Sequence, residues 1–275
     1  MASTPRFFGF YAKPPFPWFW VLLPFVLVVF GYLAASHWRQ AQNPDDKLLP
    51  TVAQMASAVN RMAFTEDPRS GGYLMVRDTL ASLKRLGMGV SLAAVVGLLL
   101  GLNMGLFTGV KTLLATFITV FSMVPPLAVL PILFISFGVE ELAKVMLIFI
   151  GIFPMITRDI YLATLRIPDE QLTKALTLGA SQLAVAYRIV LPQIMPRLLD
   201  AVRLALGAAW LFLIAAEAIA ATDGLGYRIF LVRRYLAMDI IIPYVLWVTC
   251  LGFGFDWMLR LWLAKRYPWY LVSNH

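Results

Sequence analysis

Long apolar runs decide what this chain can fold into. Residues 18–36, 86–108, 112–139, 204–222 and 240–263 carry few or no charges, and residues 145–156 form a shorter sixth run that Leu142 or Tyr161 extends. A helix needs about twenty mostly apolar residues to cross the roughly 30 Å hydrocarbon core of a bilayer. In lipid every backbone N–H and C=O must be paired within the protein, so such runs are read as helices. Composition agrees: 60% of the 275 residues are hydrophobic and 14% are charged, against about 25% charged in an average soluble domain. The expected fold is all-α, a polytopic membrane protein with six transmembrane helices. One domain covers residues 18–270, with a leading segment 1–17 and a tail 271–275. The start FYAKPPFPWFW leads into an apolar run that continues to His37-Trp38-Arg39, too long for a cleavable signal peptide.

The net charge of +8 does not mark a nucleic-acid binder, because the basic residues lie singly or in pairs rather than along one stripe. They divide almost evenly between the two sides of the membrane, so charge alone does not orient the chain. Cys250, the only cysteine, lies in an apolar run, and His37 and His275 have no ligand partner at metal spacing; no metal site is expected. The stretch GLFTGVKT, residues 105–112, comes nearest to a phosphate-cradling loop. Val110 separates its glycine from Lys111, and it ends an apolar helix instead of following a strand. No set of nucleophile, base and orienting group stands out. Arg158-Asp159 and Asp169-Glu170 read as solvated charges of a polar loop. No catalytic residue and no bound cofactor are expected.

Local patterns say more. Gly89, Ala93, Gly97, Gly101, Gly105 and Gly109 recur every fourth residue, a ridge of small residues that lets another helix approach closely. Leu49, Val52, Met55, Ala56, Val59 and Met62 recur at helical spacing, with Pro50 suited to the first turn and Gln54, Asn60 and Arg61 on the polar side. That predicts an amphipathic helix on the membrane surface or on the protein's own face. Pro125-Pro126 break the run 112–139. Carbonyls freed at such a break need a wet cavity or protein partners, so Ser122, Met123, Val124 and Pro125 either line a pathway or mark a structural kink. Acids inside spans are costly and often functional. Asp256 stands four residues before Arg260 and is expected to pair with it. Glu217 has no such neighbour, and either lines the pathway or gate or makes a structural hydrogen bond.

Between the fourth and fifth runs lies TKALTLGASQLAVAYRIVLPQIMP, residues 173–196, which reads as a helix, a glycine turn and a second helix stopped by Pro192. Gly179 is followed ten positions later by Ile189 and then by Leu191-Pro192. This spacing resembles the EAA loop of ABC importer permeases: Glu-Ala-Ala, three residues, Gly, nine residues, Ile-x-Leu-Pro. Thr173 and Lys174 depart from the triplet, and Ala175 alone agrees. LLPTVAQM, VPPLAVLPILFISFGVEELAK, RLALGAAWLFLIAAE, DGLGYRI and KRYPWY follow in the same order as in that family. Over roughly residues 45–270 the chain is similar to the permeases of the nitrate, sulfonate, taurine and bicarbonate branch.

The resemblance implies a multi-pass protein of the bacterial inner membrane, with segment 1–17 cytoplasmic, an amphipathic segment 37–85 periplasmic and a coupling loop 157–203 cytoplasmic. It implies that Thr173, Lys174, Ala175, Gly179, Ala180, Ser181, Ile189, Leu191 and Pro192 form a lever seated on a cytoplasmic ABC ATPase dimer, which uses ATP and magnesium. Leu183 and Val185 add apolar docking or packing surface. A second permease copy, expected to be identical, completes a pathway to which Ser122, Met123, Val124, Pro125 and Glu217 are assigned. A periplasmic solute-binding protein docks outside, where Arg228, Arg233 and Arg234 either attract anions or hold that protein. The solute is expected to be a small polar anion, with a urea- or guanidine-like compound as the alternative. A secondary transporter working without ATP would show paired broken helices in two related halves, and no such internal repeat is found.

Overall fold

A computed structural model describes residues 17–43, 46–66 and 71–272. The leading segment 1–17 therefore lies outside the described residues except for Pro17, and so does the end of the tail, 273–275. The elements in chain order are α1 (Pro17–Gln42), α2 (Val52–Val59) continuing into a π-helical turn (Asn60–Phe64), α3 (Leu74–Leu106), α4 (Thr108–Phe121) and α5 (Pro126–Phe137). They continue with α6 (Glu141–Thr164), α7 (Asp169–Thr177), α8 (Gln182–Ala184), a π-helical turn (Val185–Val190), α9 (Leu191–Ala220), α10 (Leu225–Arg233), α11 (Met238–Arg266) and α12 (Pro268–Val272).

Five helical stretches are long and apolar enough to cross a membrane, and α4 and α5 meet at 98° across the break at residues 122–125. That break lies where Pro125-Pro126 predict it. The bent pair makes the remaining crossing, as the packing of α3 on α6 demonstrates. A Cβ on Gly89 would meet Ile148, on Gly97 Ile156, on Gly101 Ile160 and on Gly105 Thr164. Both series rise together, so α3 and α6 run parallel, and the chain between them has to return across the bundle.

This α3–α6 seam is the most extensive contact in the fold, with α9 packed against both helices. Small residues on α3 let β-branched side chains of α6 approach its backbone, the way helices associate where lipid offers no competing hydrophobic drive. Ala93 is fully buried in the same ridge. Gly109 does not belong to it: it lies beyond the end of α3, in α4, with open space around it. Farther along α6, Gly151 makes room for the ring of Phe212 on α9.

Every span is longer than its apolar run. α3 begins at Leu74, α6 spans Glu141–Thr164 and α9 starts at Leu191. The segment expected at 37–85 thus shrinks to residues 43–73 between helices, and the loop expected at 157–203 to residues 165–190. The cause is common to both: charges taken as flanks or loop residues are paired between helices, and so the helices continue through them. Arg158 and Asp159 lie in α6, not in a loop, and Asp159 accepts a hydrogen bond from Arg197 of α9. Arg197 and Arg203 also hold Asp200 (3.3 and 2.8 Å), and Asp256 pairs with Arg260 (3.0 Å), as its spacing predicts, and approaches Arg203 (3.6 Å).

The amphipathic helix forms, but Pro50 precedes it. Thr51 is the N-cap, and its side chain and that of Gln54 exchange backbone hydrogen bonds in a capping box. It rests on α11, with Ala58 buried, so the protein's own face is its support. α1 stands apart, with nearly all of its apolar side chains exposed within the chain. Tyr32 donates to the Pro50 carbonyl (2.7 Å) and Ser36 to that of Leu49 (3.0 Å). Arg39 pairs with Asp46 (2.6 Å), and its guanidinium holds that carboxyl below its usual range.

Candidate functional site

Three features are candidates: a hairpin at one end of the bundle, a cavity at the broken span and a charge cluster at the opposite end. The hairpin is built from capping signals. α7 starts after Pro168 with Asp169 and Glu170 in its first turn, where carboxylates favour the helix dipole. It ends in a Schellman turn: the Ala180 N–H donates to the Ala175 carbonyl and the Gly179 N–H to that of Leu176, both at 3.0 Å. Gly179 has φ of +88°, a conformation that a side chain would strain. Ser181 then caps the next helix, accepting from the Ala184 N–H (3.2 Å).

From Gln182 the chain is helical to Ala220. Pro192 therefore does not stop a helix; it lies in the first turn of α9. Proline lacks an N–H and its ring crowds the carbonyl four residues back, here Arg188. The wider π-helical turn Val185–Val190 lies at that point and accommodates both defects. The hairpin is thereby continuous with the 30 residues of α9. Val185, Ala186 and Val190 face inward, Ala175, Ala180, Ile189 and Leu191 are half-buried, and Thr173, Lys174 and Ser181 are exposed. Its tip is apolar and open to its surroundings: Leu178 is 88% exposed and Leu183 64%, with Leu176 and Tyr187 beside them.

At the break between α4 and α5, Ser122, Met123, Val124 and Pro125 are all exposed. Ser122 and Val124 line a cavity of about 580 Å³ whose other walls include Ile150, Arg158 and Asp159 of α6 and Ala201 and Leu204 of α9. Two of the residues assigned to the pathway from the proline pair therefore share one cavity wall. Glu217 does not join them. It lies near the opposite end of α9, fully buried, with both carboxylate oxygens bonded within the chain.

There Arg85 of α3, also buried, donates Nε and Nη2 to Glu141 (2.6 and 2.7 Å) and Nη1 to Glu217 (2.7 Å). Nη1 also reaches the Asp223 carbonyl (2.9 Å), and Nη2 its carboxylate. Asp78 accepts from Arg228 (2.8 Å) and Tyr244 (3.2 Å), so Arg228 is not a free cation for anions or a partner. The start of α10 is held from outside its own helix: the Gly224 N–H donates to Asp78 (3.1 Å), Leu225 to Ser82 (2.8 Å) and Gly226 to Glu217 (2.9 Å). These amides have no partner within α10. Gly224, with φ of +114°, passes so close that a Cβ there would overlap Glu217 and Arg85. Four cations (Arg77, Arg85, Lys144, Arg228) face four carboxylates (Asp78, Glu141, Glu217, Asp223), so the cluster balances its charge.

The sequence does not announce this cluster, because its members are far apart in the chain. Its one local signal is Glu217: a carboxylate within an apolar run requires a cation or donors, and Arg85 sits on another helix.

Comparison with known proteins places this architecture. A family model described as "Binding-protein-dependent transport system inner membrane component" matches residues 93–266. The taurine transport system permease protein of Escherichia coli K12 is 33% identical over 190 residues, 69% of each chain. The bicarbonate transport system permease protein of Synechococcus elongatus is 28% identical over 195 residues, again 69% of each. Among solved structures, a chain of the MetNI methionine ABC transporter in inward-facing conformations superposes with a TM-score of 0.58 at 20% identity, covering 72% of this chain and 99% of that one. The shared fold, the matched region and the identity to the taurine permease lead to one conclusion: the chain belongs to the binding-protein-dependent transport system inner membrane components, the permease subunits of ABC importers.

Proposed function

We propose that this permease works as one of two copies in a bacterial inner-membrane importer for a small oxyanion of the sulfonate or bicarbonate kind, driven through the hairpin 165–190 by a separate cytoplasmic ATPase. The observation that carries the coupling role is the hairpin's form. Its turn is fixed by Gly179 and Ser181, its tip exposes Leu178 and Leu183, and its second arm runs without a break into α9. A lever needs those three properties: a rigid bend, a surface that gains by being covered and a stiff connection to the part that moves. ATP and magnesium would be used by the ATPase; a soluble binding protein would deliver the solute. The solute class is supported by the relatives named for taurine, a zwitterion that carries a sulfonate group, and for bicarbonate, an anion, both of which present negatively charged oxygens.

Leu178→Glu tests the coupling role, because a side chain that exposed contributes nothing to the fold of this chain. Membrane levels should stay normal, while the ATPase no longer co-purifies and ATP-driven uptake falls to background. An ATPase that still co-purifies in stoichiometric amount with normal uptake would remove the hairpin from the coupling path. If the wild-type chain comes out of its membrane without any ATPase and moves solute in ATP-free vesicles, the importer reading itself fails.

A further inference from the structure

We infer that Arg158 is the anion contact of the transport pathway, a specificity-determining residue within the cavity at the broken span; this rests on the oxyanion reading above. Two of the residues lining that cavity are charged, Arg158 and Asp159. Asp159 is already engaged by Arg197. Arg158 is exposed and, among the described residues, has no hydrogen-bond or ion-pair partner. The neighbouring arginines Arg197 and Arg203 on α9 are tied to Asp159, Asp200 and Asp256. Arg260 shares Asp256 with Arg203, so four arginines (Arg158, Arg197, Arg203 and Arg260) stand against three carboxylates (Asp159, Asp200 and Asp256), and the guanidinium left without a carboxylate is that of Arg158.

Position makes this informative. Arg158 stands six residues before the end of α6, about 9 Å along the axis, in a helix long and apolar enough to cross a membrane. Charged side chains inside spans face the bundle interior or a water-filled cavity, and mark the route of a solute. The rest of the wall is mostly apolar, with the exposed hydroxyl of Ser122 as a further polar group. An apolar wall strengthens the field of a single cation by lowering the local dielectric. A guanidinium offers a planar fork of N–H donors that matches two oxygens of a sulfonate, carboxylate or bicarbonate group. A volume of about 580 Å³ accommodates such an anion carrying a few carbons, since small-molecule sites span roughly 300–1,000 Å³.

The test uses the complete importer, purified with its ATPase and binding protein and reconstituted in liposomes. Uptake of labelled taurine, bicarbonate, nitrate and urea is measured beside ATP hydrolysis for wild type, Arg158→Gln and Arg158→Lys. We expect Arg158→Gln to slow uptake of the transported anion by roughly 10- to 100-fold, the loss of a charge-assisted hydrogen bond, while binding-protein-stimulated ATP hydrolysis persists. Arg158→Lys should recover part of the uptake by keeping the charge without the fork. Wild-type uptake by Arg158→Gln would overturn the assignment and leave the oxyanion reading standing. Wild-type transport of urea and of none of the three solutes with negatively charged oxygens would overturn both. If neither variant assembles with the ATPase, Arg158 holds the fold and the assignment also falls.

Discussion

Replacing Glu217 with alanine is expected to leave little folded permease in the membrane. The side chain has no exposure and accepts from Arg85, Ser82 and the Gly226 N–H. Alanine would leave the serine hydroxyl and the amide without this acceptor in a closed site, and would leave Arg85 with one carboxylate fewer. Removing one member of a buried ion pair costs about 3–5 kcal/mol, more than the pair contributes relative to an apolar substitute. Against a total stability of about 5–15 kcal/mol, that is a large share. The measurement is detergent-solubilised yield and melting temperature of a fluorescent fusion. Glu217→Gln, which keeps the volume and one acceptor oxygen, should fall between alanine and wild type. Asp256→Asn supplies the contrast: its pair with Arg260 is partly solvated, with side chains 35% and 63% exposed, and such pairs contribute about 0–1 kcal/mol. If Glu217→Ala melted with the wild type, the cluster would be no more than a set of close contacts.

That contrast also explains what is legible in the sequence. Asp256 and Arg260 share a helix face, so their spacing alone announces the pair. Glu217 and Arg85 stand on different helices, and only the fold shows which cation answers the buried acid. The same distinction runs through the other elements. The break at Pro125-Pro126, the glycine turn at Gly179 and the capping residues at Thr51 and Ser181 are local backbone effects, and the first two are readable directly. Helix limits are misplaced wherever a charge closes an apolar run, because hydropathy treats Arg158, Asp159 and Arg197 as solvated when they are paired or face a cavity. Pro192 reads as a stop because a one-dimensional rule cannot foresee the π-helical turn before it. Ser122 and Val124 of the cavity wall follow from the proline pair, whereas Arg158 reads as a loop charge. Its meaning depends on which helices surround it.

Gly101→Val is expected to rival the Glu217 lesion, by opening the seam between α3 and α6. A Cβ at Gly101 would stand 2.6 Å from the Thr157 carbonyl oxygen and 2.8 Å from the Ile160 Cβ. The first is backbone and the second is anchored to it, so neither can swing aside; the helices must separate. Even alanine should destabilise here, although helix propensity alone would favour Gly→Ala by about 1 kcal/mol. Overpacking usually costs about 1–3 kcal/mol, and it outweighs propensity because separation also loosens Gly97 from Ile156 and Gly105 from Thr164 along the same ridge. Valine adds two methyl groups to the overlap and should cost more. Two other glycines give the opposite expectation. Gly87 lies in the same helix, exposed, and a Cβ added there would meet nothing within 4 Å, so Gly87→Ala should raise the melting temperature slightly through propensity. Gly109→Val, in open space, should change little. Because parallel packing of α3 on α6 makes the bent α4–α5 pair a membrane crossing, the order of these melting temperatures tests topology as well as stability. If Gly101→Val matched Gly109→Val, the seam would not be where α3 and α6 meet.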